Sequence, residues 1–461
     1  MKKKRILFIL PSALHIRNFL TSGFVDRFVT KAEILLMIPE RYEPELSNRI
    51  RKNARVDYID HYQGSKFRKN ALTFFRLASM ISRKNMNSTY RHKIRELLVL
   101  SKNIHRLKNT LKALVLILAS SFLDLEKWIR KMESYFPLQE KAVQLLDRFK
   151  PDLVFSSTVI HETLDIEIIK AARQKGIRTM MFVASWDNLT TKGLFLHKPD
   201  NLLVWGEEDK RSAIREHGFR EDQIEITGTP HFDMYFDKRL IEKRKKFLKK
   251  RGIPASKKVI MFAGTTFSKF AEEPLIVQKL AQYYLDKNPD VLFWYRPHPR
   301  AIKQFNINDL KKYSNVYIDE KILEKIEMNE QDFFTDKSNL LHYPNMINAC
   351  IGVISVLSTM AVEFALFKKP SLMINFGLDR RGHVIPGKNT RLSDREHLKS
   401  VLSWKGVLLL NDFDSLTSAI DKMLKGEFKK YEKDLQKSAS TIAYNTDSKA
   451  QDRIMKAILR A

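Results

Sequence analysis

The sequence predicts an α/β fold with two Rossmann-like domains that face a cleft, and a basic helical insertion in the N-terminal domain. Short apolar runs alternate with amphipathic stretches along the chain, which is typical of βα units and of a parallel sheet. One series of these runs precedes a charged stretch at 237–253, and a second series follows it. The two series predict two domains of similar architecture. Lys and Arg are concentrated at 61–132, and this segment interrupts the alternation in the first half.

Six apolar runs in each half have the length of buried strands. In the first half these runs lie at 5–10, 32–38, 153–156, 179–184, 201–205 and 224–227. In the second half they lie at 258–262, 291–295, 315–318, 349–355, 371–374 and 407–410. The predicted domains are therefore 1–236 and 254–430, with 237–253 as a linker. Residues 431–461 predict C-terminal helices, which could cross back to the N-terminal domain.

The composition is that of a globular protein. With 461 residues, of which 44% are hydrophobic, the chain can bury two or three cores without disulfides. Cys350 is the only cysteine, which excludes an intramolecular disulfide, a Cys₄ zinc site and a CxxC redox motif and fits a reducing, cytoplasmic location. The apolar run after the basic N-terminus is too short for a signal peptide. The longest uncharged stretch of the basic region, 113–123, is well short of the roughly 20 residues that cross a bilayer.

The positive charge is local. The chain has a formal net charge of +29, and its segment 61–132 carries 16 Lys or Arg but only three Asp or Glu. Apolar residues recur at helical spacing between these cations, which predicts basic amphipathic helices. Their charged face is either simply solvated or docks onto an anionic membrane surface, where each cation contributes about 1 kcal/mol. The basic composition also permits nucleic-acid binding, but zinc-finger spacing, an RNP-type motif and a clear helix-turn-helix signature are lacking.

Two loops in the second half have residues that suit phosphate. Gly264, Thr265 and Thr266 follow the run at 258–262, and a glycine followed by hydroxyls lets backbone amides approach an anion. Arg296 and His298 follow the next run, between two prolines. Arginine offers a planar fork to phosphate, and histidine can donate a hydrogen bond or act as an acid. The alternative for the second loop is an ordinary polar surface loop.

A third loop adds hydroxyls and an acid. Ser355 ends the run at 349–355, Ser358 and Thr359 follow it, and Glu363 lies one turn inside the predicted helix. Hydroxyls at a helix N-terminus suit phosphate because free amides and the helix dipole both favour negative charge there. Glu363 can then reach the two hydroxyls of a ribose. The alternative is N-capping by Ser358, with Glu363 as a first-turn acid.

These residues lie within a stretch that resembles a known family. The run SVLSTMAVEFALFKKPSLMINF at 355–376 resembles the donor-nucleotide segment of GT-B glycosyltransferases, in which a Ser/Thr-rich turn, a helix with Glu and a Lys-Pro pair recur. RPHP at 296–299, GTPHFD at 228–233 and DSKAQDRI at 447–454 resemble motifs of the CDP-glycerol glycerophosphotransferase and capsule polysaccharide transferase branch. The resemblance covers roughly 150–461 and the opening strand. His231 and Ser448 depart from it, since the family pattern often has Arg and Gly at these positions.

The resemblance implies that the N-terminal domain takes the acceptor and the C-terminal domain the nucleotide donor. In GT-B enzymes the loop after the first strand faces the cleft, so His15 is a candidate general base for the acceptor hydroxyl. Local capping or packing of His15 is the alternative. His161 and Glu162, which follow the run at 153–156, are rival catalytic residues.

The loop after the run at 179–184 offers a further set. Ser185, Trp186 and Asn188 are candidates for binding the acceptor, because tryptophan beside Asp and Asn commonly holds a sugar by ring stacking and hydrogen bonds. Asp187 is a second candidate base. The alternative for this loop is a structural Asx turn at Asp187 or Asn188.

The function implied is transfer of a sugar from a nucleotide-sugar donor to a surface polysaccharide or lipid-linked glycan acceptor. No DxD motif follows a strand except the nominal spacing of Asp412 and Asp414, which we interpret as helix-start acids, so a metal-independent reaction without a cofactor is expected. The basic segment would hold the enzyme at the inner face of the cytoplasmic membrane. Three alternatives remain: a CDP-glycerol-type phosphopolyol transferase, a sugar-nucleotide 2-epimerase, and a non-catalytic protein that binds membrane or nucleic acid.

Overall fold

The computed structural model describes residues 3–62, 64–98, 104–160, 163–265, 270–299, 301, 304–305, 307–324, 335–356, 359–379, 383–386 and 394–461. The chain divides into two compact units, Met1–Asp233 with Lys449–Ala461, and Met234–Ser448. Each unit is built on a parallel sheet flanked by helices. The predicted α/β class with two parallel-sheet domains is therefore confirmed.

The first unit contains a seven-stranded sheet in which all strands are parallel. Its strands are β1 Arg5–Ile9, β2 Glu33–Ile38, β3 Ala54–Tyr58, β4 Leu153–Thr158, β5 Arg178–Val183, β6 Asn201–Val204 and β7 Ile224–Ile226. The order across the sheet is β3-β2-β1-β4-β5-β6-β7. Phe8 of β1 stacks on Phe155 of β4 at 4.5 Å between ring centroids, which places an aromatic core beneath the two central strands.

The helices of the first unit lie between these strands and after them. They are α1 Ala13–His15, α2 Phe24–Phe28, α3 Asn48–Asn53, α4 Lys66–Ser82, α5 Ser88–Leu98, α6 Ile104–Ala119, α7 Leu125–Ser134, α8 Glu140–Phe149, α9 Thr163–Gln174, α10 Asn188–Thr191, α11 Glu207–His217, α12 Pro230–Phe236, which runs into the second unit, and, at the C-terminus, α21 Ala450–Arg460. A π-helix, Ile16–Thr21, continues α1.

The basic segment is helical, as the sequence predicts. Helices α4 to α7 pack around a small core of their own that includes Leu72, Ala113 and Ile129. Arg68 of α4 connects this core to the rest of the first unit through buried ion pairs. Its guanidinium donates to Glu133 at 2.5 and 2.6 Å and to Glu167 of α9 at 2.5 Å. No described helix is long and apolar enough to pass through a bilayer.

Two of the motifs that carry the resemblance meet in the first unit. Asp233, the last residue of GTPHFD, accepts the backbone N–H groups of Ala450 and Gln451 at 3.0 and 2.9 Å. These amides belong to the first turn of α21, so the carboxylate satisfies two donors that the helix itself leaves open. Arg453 adds a hydrogen bond from Nε to the carbonyl of Thr227 at 2.8 Å. The C-terminal motif therefore fixes α21 on the first unit.

The second unit contains a six-stranded parallel sheet and a two-stranded antiparallel sheet. Its strands are β8 Lys258–Ala263, β9 Val291–Arg296, β10 Val316–Ile318, β11 Gly352–Ser355, β12 Ser371–Ile374, β13 Phe376–Leu378, β14 Val384–Pro386 and β15 Val407–Leu410. The order in the large sheet is β10-β9-β8-β11-β12-β15.

The helices of the second unit flank the large sheet and continue beyond β15. They are α13 Arg244–Lys249, α14 Glu273–Lys287, α15 Glu320–Leu323, α16 Lys337–Ala349, α17 Met360–Leu366, α18 Glu396–Leu402, α19 Phe413–Leu424 and α20 Glu432–Ala443. The predicted linker, 237–253, contains α13 and belongs to this unit.

Three of the described strands, β3, β13 and β14, were not predicted from the sequence, and the predicted run at 349–355 is longer than the strand it contains. Strand β3 carries Arg55 and Asp57 and lies at the sheet edge, so it lacks the apolar run of a central strand. Strands β13 and β14 have only three residues each. The run at 349–355 begins in α16, and β11 starts only at Gly352.

Candidate functional site

The second unit has its topological switch point between β8 and β11. These strands are neighbours in the sheet, but the chain proceeds from β8 toward β9 and β10, and from β11 toward β12 and β15. Ligands of open α/β sheets bind beyond the carboxyl ends of the strands at such a point. Gly264 follows β8 there, and Ser355 ends β11 opposite Ala263. The structure thus brings together two of the residues that the sequence assigns to the donor.

Gly264 occupies a position that admits no side chain. A Cβ atom added to it would lie 2.2 Å from Oε1 of Glu273 and 2.8 Å from Cα of Pro297. The N–H of Gly264 donates to the carbonyl of Arg296 at 2.8 Å, and the N–H of Thr265 donates to Oε2 of Glu273 at 2.8 Å. The turn after β8 is therefore packed tightly against the turn after β9.

Glu273 supports the turn from beneath and was not identified in the sequence. Its side chain is fully buried at the start of α14, and Oε1 accepts the hydroxyl hydrogen of Tyr295 at 2.8 Å. Burial raises the pKa of Glu273 to about 8. At neutral pH the carboxyl is therefore mostly uncharged, which leaves the turn above it without a buried negative charge that would oppose an anionic ligand.

Arg296 is buried at the end of β9 and is held by polar partners. Its guanidinium donates to Oδ2 of Asp319 at 2.8 Å and to Oδ1 of Asn339 at 3.0 Å, and it lies over the ring of Tyr343 at 4.9 Å. Only 7% of Arg296 is exposed. Its predicted contact with a donor phosphate stays a prediction. The geometry adds a second role, which is to connect β9 with α16.

Asp319, Glu320 and His342 are close enough together to suggest a metal site. Cationic side chains already hold these groups. Arg251 donates to Oε1 of Glu320 at 2.6 Å and to Nδ1 of His342 at 3.0 Å. Because guanidinium only donates, Nδ1 of His342 accepts, and the hydrogen on Nε2 points to Asp319 at 3.2 Å. The cluster thus has the character of an ion-pair network that holds Arg296 in place.

The carboxylate of Glu363 is connected to this network through two tyrosines. The hydroxyl of Tyr343 contacts the sulfur of Met360, the first residue of α17, and Glu363 lies one turn further along that helix. Tyr235 donates its hydroxyl hydrogen to Oε2 of Glu363 at 3.0 Å, and its ring lies 6.3 Å from that of Tyr343. Glu363 is half-buried, and the hydrogen bond from Tyr235 orients its carboxylate.

Of the remaining donor candidates, the structure describes Ser355, Thr359 and His298. Ser355 is fully buried, and within the described part of the chain its hydroxyl has no hydrogen-bond partner. Thr359 is exposed before α17, and His298 is half-buried after β9. Thr266 and Ser358 lie outside the described residues, so their assignments stay predictions.

The first unit has the equivalent switch point between β1 and β4, where His15 lies. His15 is fully buried, and burial lowers its pKa to about 3, although a hydrogen bond with the backbone of Ser157 opposes the shift. The imidazole is therefore neutral at pH 7, as a base must be, but weakly basic. His161 and Glu162 lie outside the described residues. The catalytic roles of all three residues stay predictions.

A buried carboxyl that was not identified in the sequence lies behind β4. Asp165 of α9 is fully buried and accepts the hydroxyl hydrogen of Ser156, while its second oxygen has no partner within the described residues. Burial raises the pKa of Asp165 to about 7. No sequence pattern could reveal this group, because Asp165 reads as an ordinary first-turn acid of a helix.

The loop after β5 forms a compact hydrogen-bonded turn. Ser185 donates its hydroxyl hydrogen to Oδ1 of Asp187 at 2.6 Å, Thr191 donates to Oδ2 at 3.2 Å, and the N–H of Ser185 donates to Oδ1 of Asn188 at 3.0 Å. Trp186 is only 5% exposed. These bonds differ from the Asx turn named above as the alternative, because Asn188 accepts an N–H three residues earlier and Asp187 accepts side-chain hydroxyls. The acceptor-binding and base roles of these residues stay predictions.

His231 lies in the first turn of α12, at a position where the family pattern often has Arg. It is buried, its Nδ1 lies 2.9 Å from the hydroxyl of Thr229, and its ring lies 5.2 Å from that of Trp205. Burial, together with the charge of Arg17, lowers the pKa of His231 well below its usual value. A neutral imidazole thus replaces a cation at this position.

Comparison with known proteins identifies the family. The family model for CDP-glycerol:poly(glycerophosphate) glycerophosphotransferases matches residues 194–460, more than half of the chain. The chain belongs to this family. The match covers the switch point of the second unit and both motifs that meet at Asp233, so the resemblance given by these motifs is confirmed.

Curated relatives of this family member include teichoic acid polymerases. The chain is 26% identical over 227 residues to the teichoic acid ribitol-phosphate polymerase TarK of Staphylococcus aureus, which is 47% of this chain and 38% of TarK. It is 27% identical over 186 residues to the teichoic acid poly(ribitol-phosphate) polymerase of Bacillus spizizenii, 39% of this chain and 26% of that protein. The alignments thus span less than two fifths of each relative.

Solved structures share the fold of this family member over nearly its whole length. The S. aureus MnaA-UDP co-structure matches with a TM-score of 0.53 and 12% identity, over 99% of this chain and 96% of that chain. The UDP-GlcNAc 2-epimerase of Neisseria meningitidis bound to UDP-GlcNAc matches with a TM-score of 0.54 and 13% identity, over 99% and 100%. At these identities the likeness establishes the GT-B type of fold.

Proposed function

We propose that this family member transfers a polyol phosphate from a CDP-linked donor to a hydroxyl group of a polyol-phosphate polymer. The observation that carries the proposal is the family match over the whole donor-side sheet, whose switch point has the tight turn at Gly264. Of the groups that the sequence left open, sugar and polyol phosphate, the family and the polymerase relatives favour the polyol phosphate.

The donor is proposed to bind at the switch point of the second unit. The diphosphate would lie against the turn at Gly264, where no side chain separates it from the backbone, and the buried hydroxyl of Ser355 would donate to it. Glu363, oriented by Tyr235, would accept hydrogen bonds from the two ribose hydroxyls. His298 and Thr359 flank this position, and Arg296 supports it from behind. The proposal includes no metal, because the N-terminus of α17 and the cationic side chain of Arg296 would oppose the negative charge.

The reaction has a simple balance. The oxygen of the acceptor hydroxyl forms a bond to the phosphorus that bears the polyol, and the bond from that phosphorus to the bridging oxygen of the diphosphate breaks. CMP leaves with the bridging oxygen, and a base takes the proton of the acceptor hydroxyl. His15 and Asp187 are the described candidates for this base, both in the first unit, where the acceptor is proposed to bind.

We also propose that the basic segment docks onto the inner face of the cytoplasmic membrane. Leu111, Val115, Leu118 and Phe122 recur at helical spacing along α6 and just after it, and 55%, 65%, 67% and 92% of these residues are exposed. An apolar face of this kind, within a segment of 16 cations and three acids, suits an anionic lipid surface.

The docking is tested with vesicles. The protein is expected to sediment with vesicles that contain phosphatidylglycerol and to remain in solution with vesicles of pure phosphatidylcholine. The double variant Val115→Ser with Phe122→Ser should reduce the sedimented fraction severalfold. Leu285→Ser with Leu459→Ser, at apolar residues that are also exposed but lie elsewhere, serves as the control. Equal sedimentation of both double variants would contradict the docking surface.

The transfer is tested by comparing three donors in separate reactions. CDP-glycerol, CDP-ribitol and UDP-glucose are each incubated with the protein and a poly(glycerol phosphate) acceptor, and the released nucleotide is measured. CMP release from a CDP-polyol, unchanged by EDTA, is the expected result. UDP release from UDP-glucose without CMP release would instead establish sugar transfer, and release of neither nucleotide would favour a binding protein.

A further inference from the structure

The first unit contains a cavity that no part of the proposed donor site uses. It has a volume of about 210 Å³ and lies between α4, the residues that follow β4, and the segment 192–196 after α10. Ile160, two residues after β4, forms part of its wall, and Lys192 directly follows α10. The cavity therefore adjoins the carboxyl ends of β4 and β5, where chemistry is expected in a parallel sheet.

The cavity has a positive lining. Lys69, Arg76 and Lys192 line it, and no acidic residue is among its lining residues. The rest of its wall is apolar and includes Leu72, Phe75 and Leu194. A cavity lined by cations as well as by aliphatic and aromatic side chains suits an anion that carries an apolar group.

Arg76 differs from Arg68, the buried arginine of the same helix. Arg68, two turns earlier, is neutralised by Glu133 and Glu167. For Arg76, which is half-buried, the described part of the chain offers no hydrogen-bond acceptor and no ion-pair partner, and its Nε is shielded from solvent. A guanidinium stays charged in proteins, so a partly desolvated one without a counter-ion is costly unless a ligand supplies the anion.

The cavity wall is also conformationally strained. Ile160 has φ of 78°, a left-handed conformation that β-branched residues rarely adopt. The hydroxyl of Thr158 accepts its N–H at 2.8 Å and stabilises this conformation. Gly193, between the lining residues Lys192 and Leu194, approaches α4 so closely that a Cβ atom would lie 2.7 Å from the hydroxyl of Ser79. The segment after α10 is thus packed tightly against α4 beside the cavity.

We propose that this cavity is the acceptor subsite for a phosphate ester, with the phosphate on Arg76 and the apolar part of its alcohol against Leu72, Phe75 and Leu194. The proposal rests on the proposed function, because an acceptor with a phosphate group is what a polyol-phosphate transferase would extend. It adds the place in the first unit, at Arg76 of α4, where the phosphate ester of the acceptor would be held.

Four probes separate the parts of the ligand: geranyl phosphate, glycerol 3-phosphate, inorganic phosphate and geraniol. Their affinities are measured by calorimetry with wild type and Arg76→Met, in which the aliphatic stem is retained. Geranyl phosphate should bind most tightly, and Arg76→Met should weaken it at least about tenfold. Lys66→Met, which removes an exposed cation of the same helix, should leave the affinity unchanged. Equal binding of glycerol 3-phosphate and geranyl phosphate would overturn the apolar part of the proposal, even if both were lost in Arg76→Met.

Thr73→Trp provides an independent variant, because Thr73 is exposed at the cavity and a larger side chain would fill it without removing a cation. Wild-type affinity for geranyl phosphate in both Arg76→Met and Thr73→Trp would overturn the proposal. The affinity for CDP should be unchanged in both variants. It therefore tests the proposed donor site separately from the acceptor subsite. If no CDP-polyol is turned over while Arg76 still determines geranyl phosphate binding, the proposed function fails and the subsite stands.

Discussion

Replacing Asp319 by alanine is expected to lower the free energy of unfolding of the second unit by about 3 to 5 kcal/mol, the cost of breaking a buried ion pair from one side. Asp319 is fully buried, and although burial alone would raise its pKa, Arg296 and His342 hold the pKa well below its usual value. The variant leaves Arg296 without its carboxylate and removes the acceptor of Trp294 Nε1, which donates to Asp319 at 3.0 Å.

The measurement is urea unfolding followed by tryptophan fluorescence. Asp290→Ala is the matched control, because Asp290 is exposed at the start of β9 and its carboxylate has no ion pair among the described residues. Its unfolding should differ from wild type by less than about 0.5 kcal/mol. A similarly small loss in Asp319→Ala would show that the network around Arg296 does not hold the second unit together.

The second large effect is expected at Glu363. Glu363→Gln keeps the size of the side chain and an acceptor for Tyr235, but it removes the charge that would bind both ribose hydroxyls. Hydrogen bonds to charged groups contribute about 1.5 to 3 kcal/mol, so the affinity for CDP should fall about 10- to 100-fold while the thermal midpoint without nucleotide changes little. Calorimetric titration with CDP gives the affinity.

Glu427→Gln is the control for charge, since Glu427 is an exposed glutamate of the same unit outside the switch point. It should bind CDP as wild type does. Undiminished CDP binding in Glu363→Gln would remove Glu363 from the donor site, and the ribose would then have to be held by other groups.

The sheets were largely predictable because their central strands are buried on both faces. β1, β8 and β9 read as nearly continuous apolar runs, as strands of a parallel sheet do, and β4 begins with one. β3 could not be found in this way, because an edge strand has partners on one side only and tolerates Arg55 and Asp57. The basic segment was predicted as helical, but only the structure shows that Arg68 is neutralised and Arg76 is not.

The candidate site was predictable where it depends on position along a strand. Gly264 and Ser355 follow from the rule that parallel strands present their carboxyl ends at one edge of the sheet. Glu273 and Asp319 were missed, because their importance depends on burial and on partners such as Thr265 and Arg296 that only the folded chain brings near. The sequence signal that could have indicated Glu273 is weak, since a glutamate at the start of a helix is common.

The most direct test of the proposed function is phosphorus-31 NMR of the reaction with CDP-glycerol and a poly(glycerol phosphate) acceptor. The account predicts that the diphosphate signals disappear while CMP and new phosphodiester signals grow in equal amounts, and that Glu363→Gln slows this at subsaturating donor. Diphosphate signals that persist with both CDP-glycerol and CDP-ribitol, in a protein that nonetheless turns over a nucleotide sugar, would contradict polyol-phosphate transfer.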